Sequence, residues 1–80
     1  MSGAGGEEKA IETLKKIALD ENKGYTEKKK AIEALAVFRE KALSALAEIA
    51  DKADDITLRE RAITLLREIK EGRLGSSLRQ

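Results

Sequence analysis

AIEALAVFREKALSALAEIA, running from Ala31 to Ala50, decides the fold. It holds no Gly and no Pro, and its apolar residues recur at helical spacing: Ile32, Leu35, Ala42, Leu46 and Ile49 form one stripe. Thr26 upstream is a good N-cap, and nothing interrupts the pattern until about Asp51. The spacing predicts a helix of roughly 25 residues, about 37 Å long, with a bend near Arg39–Glu40 as the alternative to a straight rod. Outward from it, Ile11, Leu14, Ile17 and Ala18 predict a first helix from Glu7 to about Leu19. Glu7 and Glu8 stand at its positive dipole end. Asp20 to Gly24 ends it, with Asn22 and Gly24 as residues that tolerate left-handed dihedrals. After the polar connection Asp51 to Asp55, Thr57 and Glu60 make a capping-box pattern opening a third helix, which Gly72 stops near Glu71. The expected fold is therefore all-α, a three-helix up-down-up bundle with a long central helix. Residues 7–72 form one domain, 1–6 a disordered Gly-rich segment and 73–80 a flexible tail.

Composition agrees with this reading and removes many activities. Ala, Glu, Lys, Leu and Arg make up 49 of 80 residues, the usage of long helices. The chain has no Cys, so it forms no disulfide, thiolate nucleophile or zinc–thiolate site. It has no His, the commonest general base and metal ligand. Asp20 and Asn22 stand at the first and third positions of a calcium-type loop, but Tyr25 and Ala31 occupy the sixth and twelfth, where Gly and Glu are required. Ser44 has no base to activate it. No cofactor, metal site or small-molecule substrate is expected, and the chain is read as no enzyme. The opening MSGAGGEE lacks the charge and apolar run of a signal peptide. The longest apolar run, Ala34 to Phe38, falls far short of the ~18 residues of a membrane span. The expectation is a soluble, cytoplasmic chain, and the net charge of +1 makes a nucleic-acid partner an unlikely fit.

The chain repeats itself. Glu8-Lys9-Ala10-Ile11 matches Glu40-Lys41-Ala42-Leu43, and Leu14, Ile17 and Ala18 match Leu46, Ile49 and Ala50 at the same offset of 32. Tyr25-Thr26 then matches Ile56-Thr57 at an offset of 31, as Ala31, Ile32, Leu35 and Phe38 match Ala62, Ile63, Leu66 and Ile69. Each unit is a helical hairpin of about 31 residues. Amphipathic helices of one composition also resemble each other by chance, which is the plainer account. Over residues 8–69 the pattern resembles the helical-hairpin repeats of the HEAT and armadillo families, without their Pro or Asp-Arg features. The resemblance implies stacked helix pairs around one continuous core. The clean composition and aliphatic core equally resemble computationally designed or engineered helical proteins, although Tyr25, Phe38 and the ragged tail fit that origin less well.

Two surfaces are candidates for function. Ala36, Leu43, Ala47 and Ala50 form a second stripe of mostly small residues on the central helix, suited to close helix approach. Either the flanking helices cover it or it is a homodimer interface. Charge is uneven: residues 15–30 carry net +3 and residues 46–61 net −2. A basic end (Lys23, Lys28, Lys29 and Lys30) and an acidic end (Asp51, Asp54 and Asp55) are expected at opposite ends of the central helix. These charges serve as solvated loops or as a salt-sensitive head-to-tail contact. In the tail, Ser76-Ser77-Leu78-Arg79 resembles the Gly-Ser-Leu-Arg-type peptides of encapsulin cargo, with Ser76 in place of the glycine and Gly75 where an apolar residue is usual. The reading that follows is a non-enzymatic helical module that self-assembles, or binds another protein, through the central helix. The alternative is a monomeric adaptor that recruits a macromolecular partner by its basic end or tail.

Overall fold

The computed structural model describes residues 3–72. Its elements are α1 (Gly3–Leu19), α2 (Tyr25–Leu35), a 3₁₀ segment (Ala36–Ala42), α3 (Leu43–Lys52) and α4 (Ile56–Lys70). The chain is an all-α bundle with a long central helical stretch, from Tyr25 to Lys52. That stretch is bent. Arg39 takes φ 54 and ψ −128, which interrupts the helix and separates α2 from α3.

The bend rearranges the two loops. Lys28, in the first turns of α2, reaches Asp54 beyond the end of α3, with Nζ 3.3 Å from Oδ1. The Thr57 and Tyr25 hydroxyls are hydrogen-bonded at 3.2 Å. Both loops therefore lie at one end of the molecule, where a straight central helix would have put them at opposite ends. The expected separation into a basic end and an acidic end is corrected accordingly: α2 leads away from the loops and α3 leads back.

The resulting architecture is two hairpins. α1 packs chiefly on α2, and α3 chiefly on α4; across the pair, α1 lies beside α3 and α2 beside α4. Like elements of the repeat are thus neighbours. Ile32, Leu35, Leu46, Ile49 and Leu58 are the largest fully buried side chains, and Ala18, Ala42 and Ala62 let the helices approach among them. Burying each large aliphatic side chain contributes roughly 1.5–3 kcal/mol, the main favourable term in a chain with so few aromatics.

Local chemistry sets the ends of the elements. α1 begins at Gly3, ahead of the expected start at Glu7. The first loop is turned by Asp20, whose Oδ1 accepts the Asn22 N–H at 2.8 Å. Neither Asn22 nor Gly24 has a positive φ, so the loop closes by an Asx turn and not by left-handed residues. α2 is capped at Gly24, whose N–H donates to Glu27 Oε1 at 3.2 Å; Thr26 lies inside the first turn. α4 is capped by Asp55, which accepts the Thr57 N–H at 2.8 Å and the Thr57 hydroxyl. The Thr57–Glu60 capping box is therefore superseded. An anionic carboxylate satisfies the free amides and favours the helix dipole better than a neutral hydroxyl does. α4 ends at Glu71, and Gly72 follows with φ 71, a left-handed position suited to glycine.

Candidate interaction surfaces

The repeat turns burial into a comparison between equivalent positions. Ala18, Ile32 and Leu35 of the first hairpin are buried, Ile32 and Leu35 completely. Their equivalents in the second hairpin are Ala50, Ile63 and Leu66. Ala50 and Leu66 are only partly buried, and Ile63 is 42% exposed. The reason is position in the stack. The face bearing Ala18, Ile32 and Leu35 meets the second hairpin; the corresponding face of the second hairpin has no further hairpin against it among the described residues, and Ala50 and Leu66 pack on the core only in part.

Ion pairs mark which side is which. Lys15 on α1 donates to Glu48 Oε1 on α3 at 3.1 Å, and Arg61 Nε on α4 lies 3.4 Å from Glu33 Oε2 on α2. Glu48 and Arg61 therefore face the first hairpin. On the helical wheel, Leu43, Ala47 and Ala50 of α3 and Ile63 and Leu66 of α4 fall on the side away from those contacts. They share one apolar face along the groove that two packed helices, α3 and α4, leave between them. Ala47 is exposed at the position equivalent to Lys15, so a small apolar side chain stands where the first hairpin carries a charge.

Three of the four residues expected on the small-residue stripe, Leu43, Ala47 and Ala50, lie on this groove. Ala36 does not: at 7% exposure it belongs to the core. The bend at Arg39 rotates the α2 half of the stripe inward, so a stripe drawn along a straight helix splits in two. Ile63 and Leu66 complete the groove from α4. Reading the repeat forward, from buried Ile32 and Leu35 to their counterparts, is the signal that identifies them.

The basic patch is also divided. Lys28 is 6% exposed and paired with Asp54, whereas Lys23, Lys29 and Lys30 remain exposed. Neighbouring lysines point about 100° apart on a helix, so one of the three turns inward while its Nζ finds a carboxylate. Lys28, Asp54, Asp55, Tyr25 and Leu58 line a small pocket at the loop end, where Lys28 pairs with Asp54 and Asp55 is held by Thr57. Asp51 stays exposed on α3.

A second groove lies on the outer side of the first hairpin, between α1 and α2. It is lined by Leu14, Ile17, Ala31 and Ala34, with Glu27 and Lys30 at its rim. The equivalent positions of the second hairpin include Leu58 and Leu65, both buried, where this groove has Glu27 and Ala34. The outer groove of the first hairpin thus has an apolar floor, with a charged rim where the second hairpin buries leucine.

Three clusters at the surface carry shifted ionisation. Hydrogen bonds from Lys15 and then Lys52 hold the Glu48 carboxyl below its ordinary value, and the same contact with Glu48 raises Lys15. The side-chain hydrogen bond from Thr57 lowers Asp55, and Glu7 raises Lys41. These are structural pairs. Among the described residues no group of His, Cys, Asp and Glu side chains is placed to hold a metal ion, and no helix is long and apolar enough to cross a membrane. No protein family, curated protein or solved structure matches this chain. The tail motif, residues 73–80, lies outside the described residues.

Proposed function

We propose that this protein is a non-enzymatic helical assembly module, and that it associates with a second copy of itself through the groove of Leu43, Ala47, Ala50, Ile63 and Leu66. One observation carries the reading. Positions that are buried between the two hairpins of one chain recur, still apolar, on the outer face of the second hairpin. A hairpin of this kind is the natural occupant, because the internal hairpin–hairpin interface is itself built on those positions.

A second copy docked face to face fits better than one stacked head to tail. In the face-to-face arrangement Ala47 and Ala50 meet their own counterparts, and the two patches close into a two-fold dimer. Head-to-tail stacking would set the Leu43–Leu66 groove against the groove of Leu14, Ile17, Ala31 and Ala34, whose rim carries Glu27 where the internal hairpin–hairpin interface has the buried Leu58. The neighbouring of like helices also supports the likeness to HEAT and armadillo hairpins, and a designed origin suits it as well. A cytoplasmic setting goes with the same reading, since the assembly needs no disulfide.

Light scattering on a sizing column tests this. A dimer that persists at high salt is expected, because its contacts are apolar. Ala47→Glu places a charge at the centre of the groove and is expected to give a monomer of unchanged helicity by circular dichroism. A dimer that survives Ala47→Glu would remove this face from consideration. A wild-type monomer at both salts would favour the adaptor reading, with Lys23, Lys29 and Lys30 or the tail as its contact.

A further inference from the structure

Arg39 is the one non-glycine residue with a positive φ among the described residues, at φ 54 and ψ −128. There an L side chain crowds its own backbone; the combination suits the first central position of a tight turn, where glycine is favoured. Nothing local asks for it. From Ala31 to Ala50 the chain has no Gly and no Pro, and the residues around Arg39 are chiefly good helix formers. What holds the bend is tertiary docking: the core that the two hairpins share, and the Lys41–Glu7, Lys15–Glu48 and Lys28–Asp54 pairs between them. Local preference and tertiary packing oppose each other at one residue.

We infer that Arg39 is a hinge through which two copies of this chain exchange hairpins. In the exchanged form, residues 25–52 straighten into one helix about 42 Å long. That exceeds the 36 Å longest dimension of the closed protein, so a straight helix carries the α1–α2 hairpin beyond its own α3–α4. Each hairpin then docks on the other chain's partner hairpin. The buried residues and the ion pairs are the same ones, made between chains instead of within one. The dimer keeps these contacts, gains regular helical hydrogen bonds and releases a strained residue in each chain. Opposing it is the loss of the tether. A short link keeps the hairpins at an effective concentration in the millimolar range, and relief of one strained residue offsets roughly tenfold or more of that advantage. This exchange uses no groove on the outer faces, so it stands independently of the face-to-face contact.

The test mixes isotope-labelled and unlabelled chains, unfolds them and refolds them together at about 1 mM, the tether's own scale. Monomer and dimer are separated by size, and a carbodiimide joins Lys15 to Glu48 wherever the two are paired. Mass spectrometry of the joined peptide is expected to find mixed-isotope Lys15–Glu48 in the dimer and only single-isotope Lys15–Glu48 in the monomer. The same result is expected in Ala47→Glu, which blocks the outer groove. Arg39→Gly, which relaxes the bend, is expected to lower the dimer fraction of the Ala47→Glu background roughly tenfold while keeping helicity. In that background, a dimer whose joined peptides are all single-isotope, no dimer at all, or a dimer fraction indifferent to Arg39→Gly overturns the hinge.

Discussion

Arg39→Gly is expected to stabilise the closed monomer. The Arg39 side chain is exposed, so its removal uncovers nothing buried. A non-glycine residue held at such dihedrals costs about 1–3 kcal/mol, and the extra chain entropy of glycine returns about 0.5–1 kcal/mol of that. A net gain of about 1 kcal/mol should appear as a higher urea midpoint with an unchanged slope. An unchanged or lower midpoint would show that the bend is not strained. Arg39 was legible as a place to bend only because the repeat restarts at Glu40; its residue type argues for a continuing helix. Lys28 carries the same lesson. A run of three lysines reads as one patch, and only the packing at the loop end shows which of them meets Asp54.

At the scale of elements, the repeat makes paired predictions. Ile32→Ala removes a completely buried side chain and is expected to cost about 2–4 kcal/mol, enough to threaten an 80-residue fold. The equivalent Ile63→Ala, in dilute monomer, should cost about 1 kcal/mol or less, because Ile63 is 42% exposed. Equal losses in thermal or urea unfolding would mean that the second hairpin is covered as the first is. The matching of Ala31, Ile32 and Leu35 with Ala62, Ile63 and Leu66 is visible in the chain alone. Which member of each pair is buried is not, since that depends on which hairpin has a neighbour. Helix ends are less legible in the chain than helix faces. Asp55 rather than Thr57 caps α4, because its carboxylate takes the Thr57 N–H and starts the helix two residues earlier, placing Thr57 inside the first turn.

For the whole molecule, stability should be flat around neutral pH. Glu48 and Asp55 are held below their ordinary values of 4.5 and 3.8. A lowered carboxylate contributes stability that is present above its unfolded value and lost as pH falls through the lower folded one. Lys15 and Lys41 are raised above 10.5, so their contribution is present below that value and lost as pH climbs through the higher folded ones. With no His and no Cys, no side-chain type in this chain has an ordinary pKa between about 5 and 9.5. Urea midpoints measured from about pH 5.5 to 9.5 should therefore agree, with a decline confined to acid below the ordinary carboxylate range and to strong alkali. The acid decline should be small and salt-sensitive, since the pairs are exposed. A slope across neutrality would mean that another group is coupled to folding.

Ile11, Leu14 and Ile17, the unbroken pattern from Ala31 to Ala50, and the polar runs at Asp20–Gly24 and Asp51–Asp55 determined an all-α chain of helical hairpins without any structure. Helical periodicity is a local property, written in spacings of three and four residues. The absence of His and Cys is equally plain in the sequence and bounds the chemistry of the side chains. The tertiary structure alone decided that the central helix turns back at Arg39. From that one bend follow the meeting of both loops, the pairing of Lys28 with Asp54, the burial of Ala36 and the exposure of Ile63. Each depends on contacts between residues far apart in the chain. Local propensity favours a straight helix, and only the shared burial of Ile32, Leu35, Leu46, Ile49 and Leu58 is strong enough to overrule it.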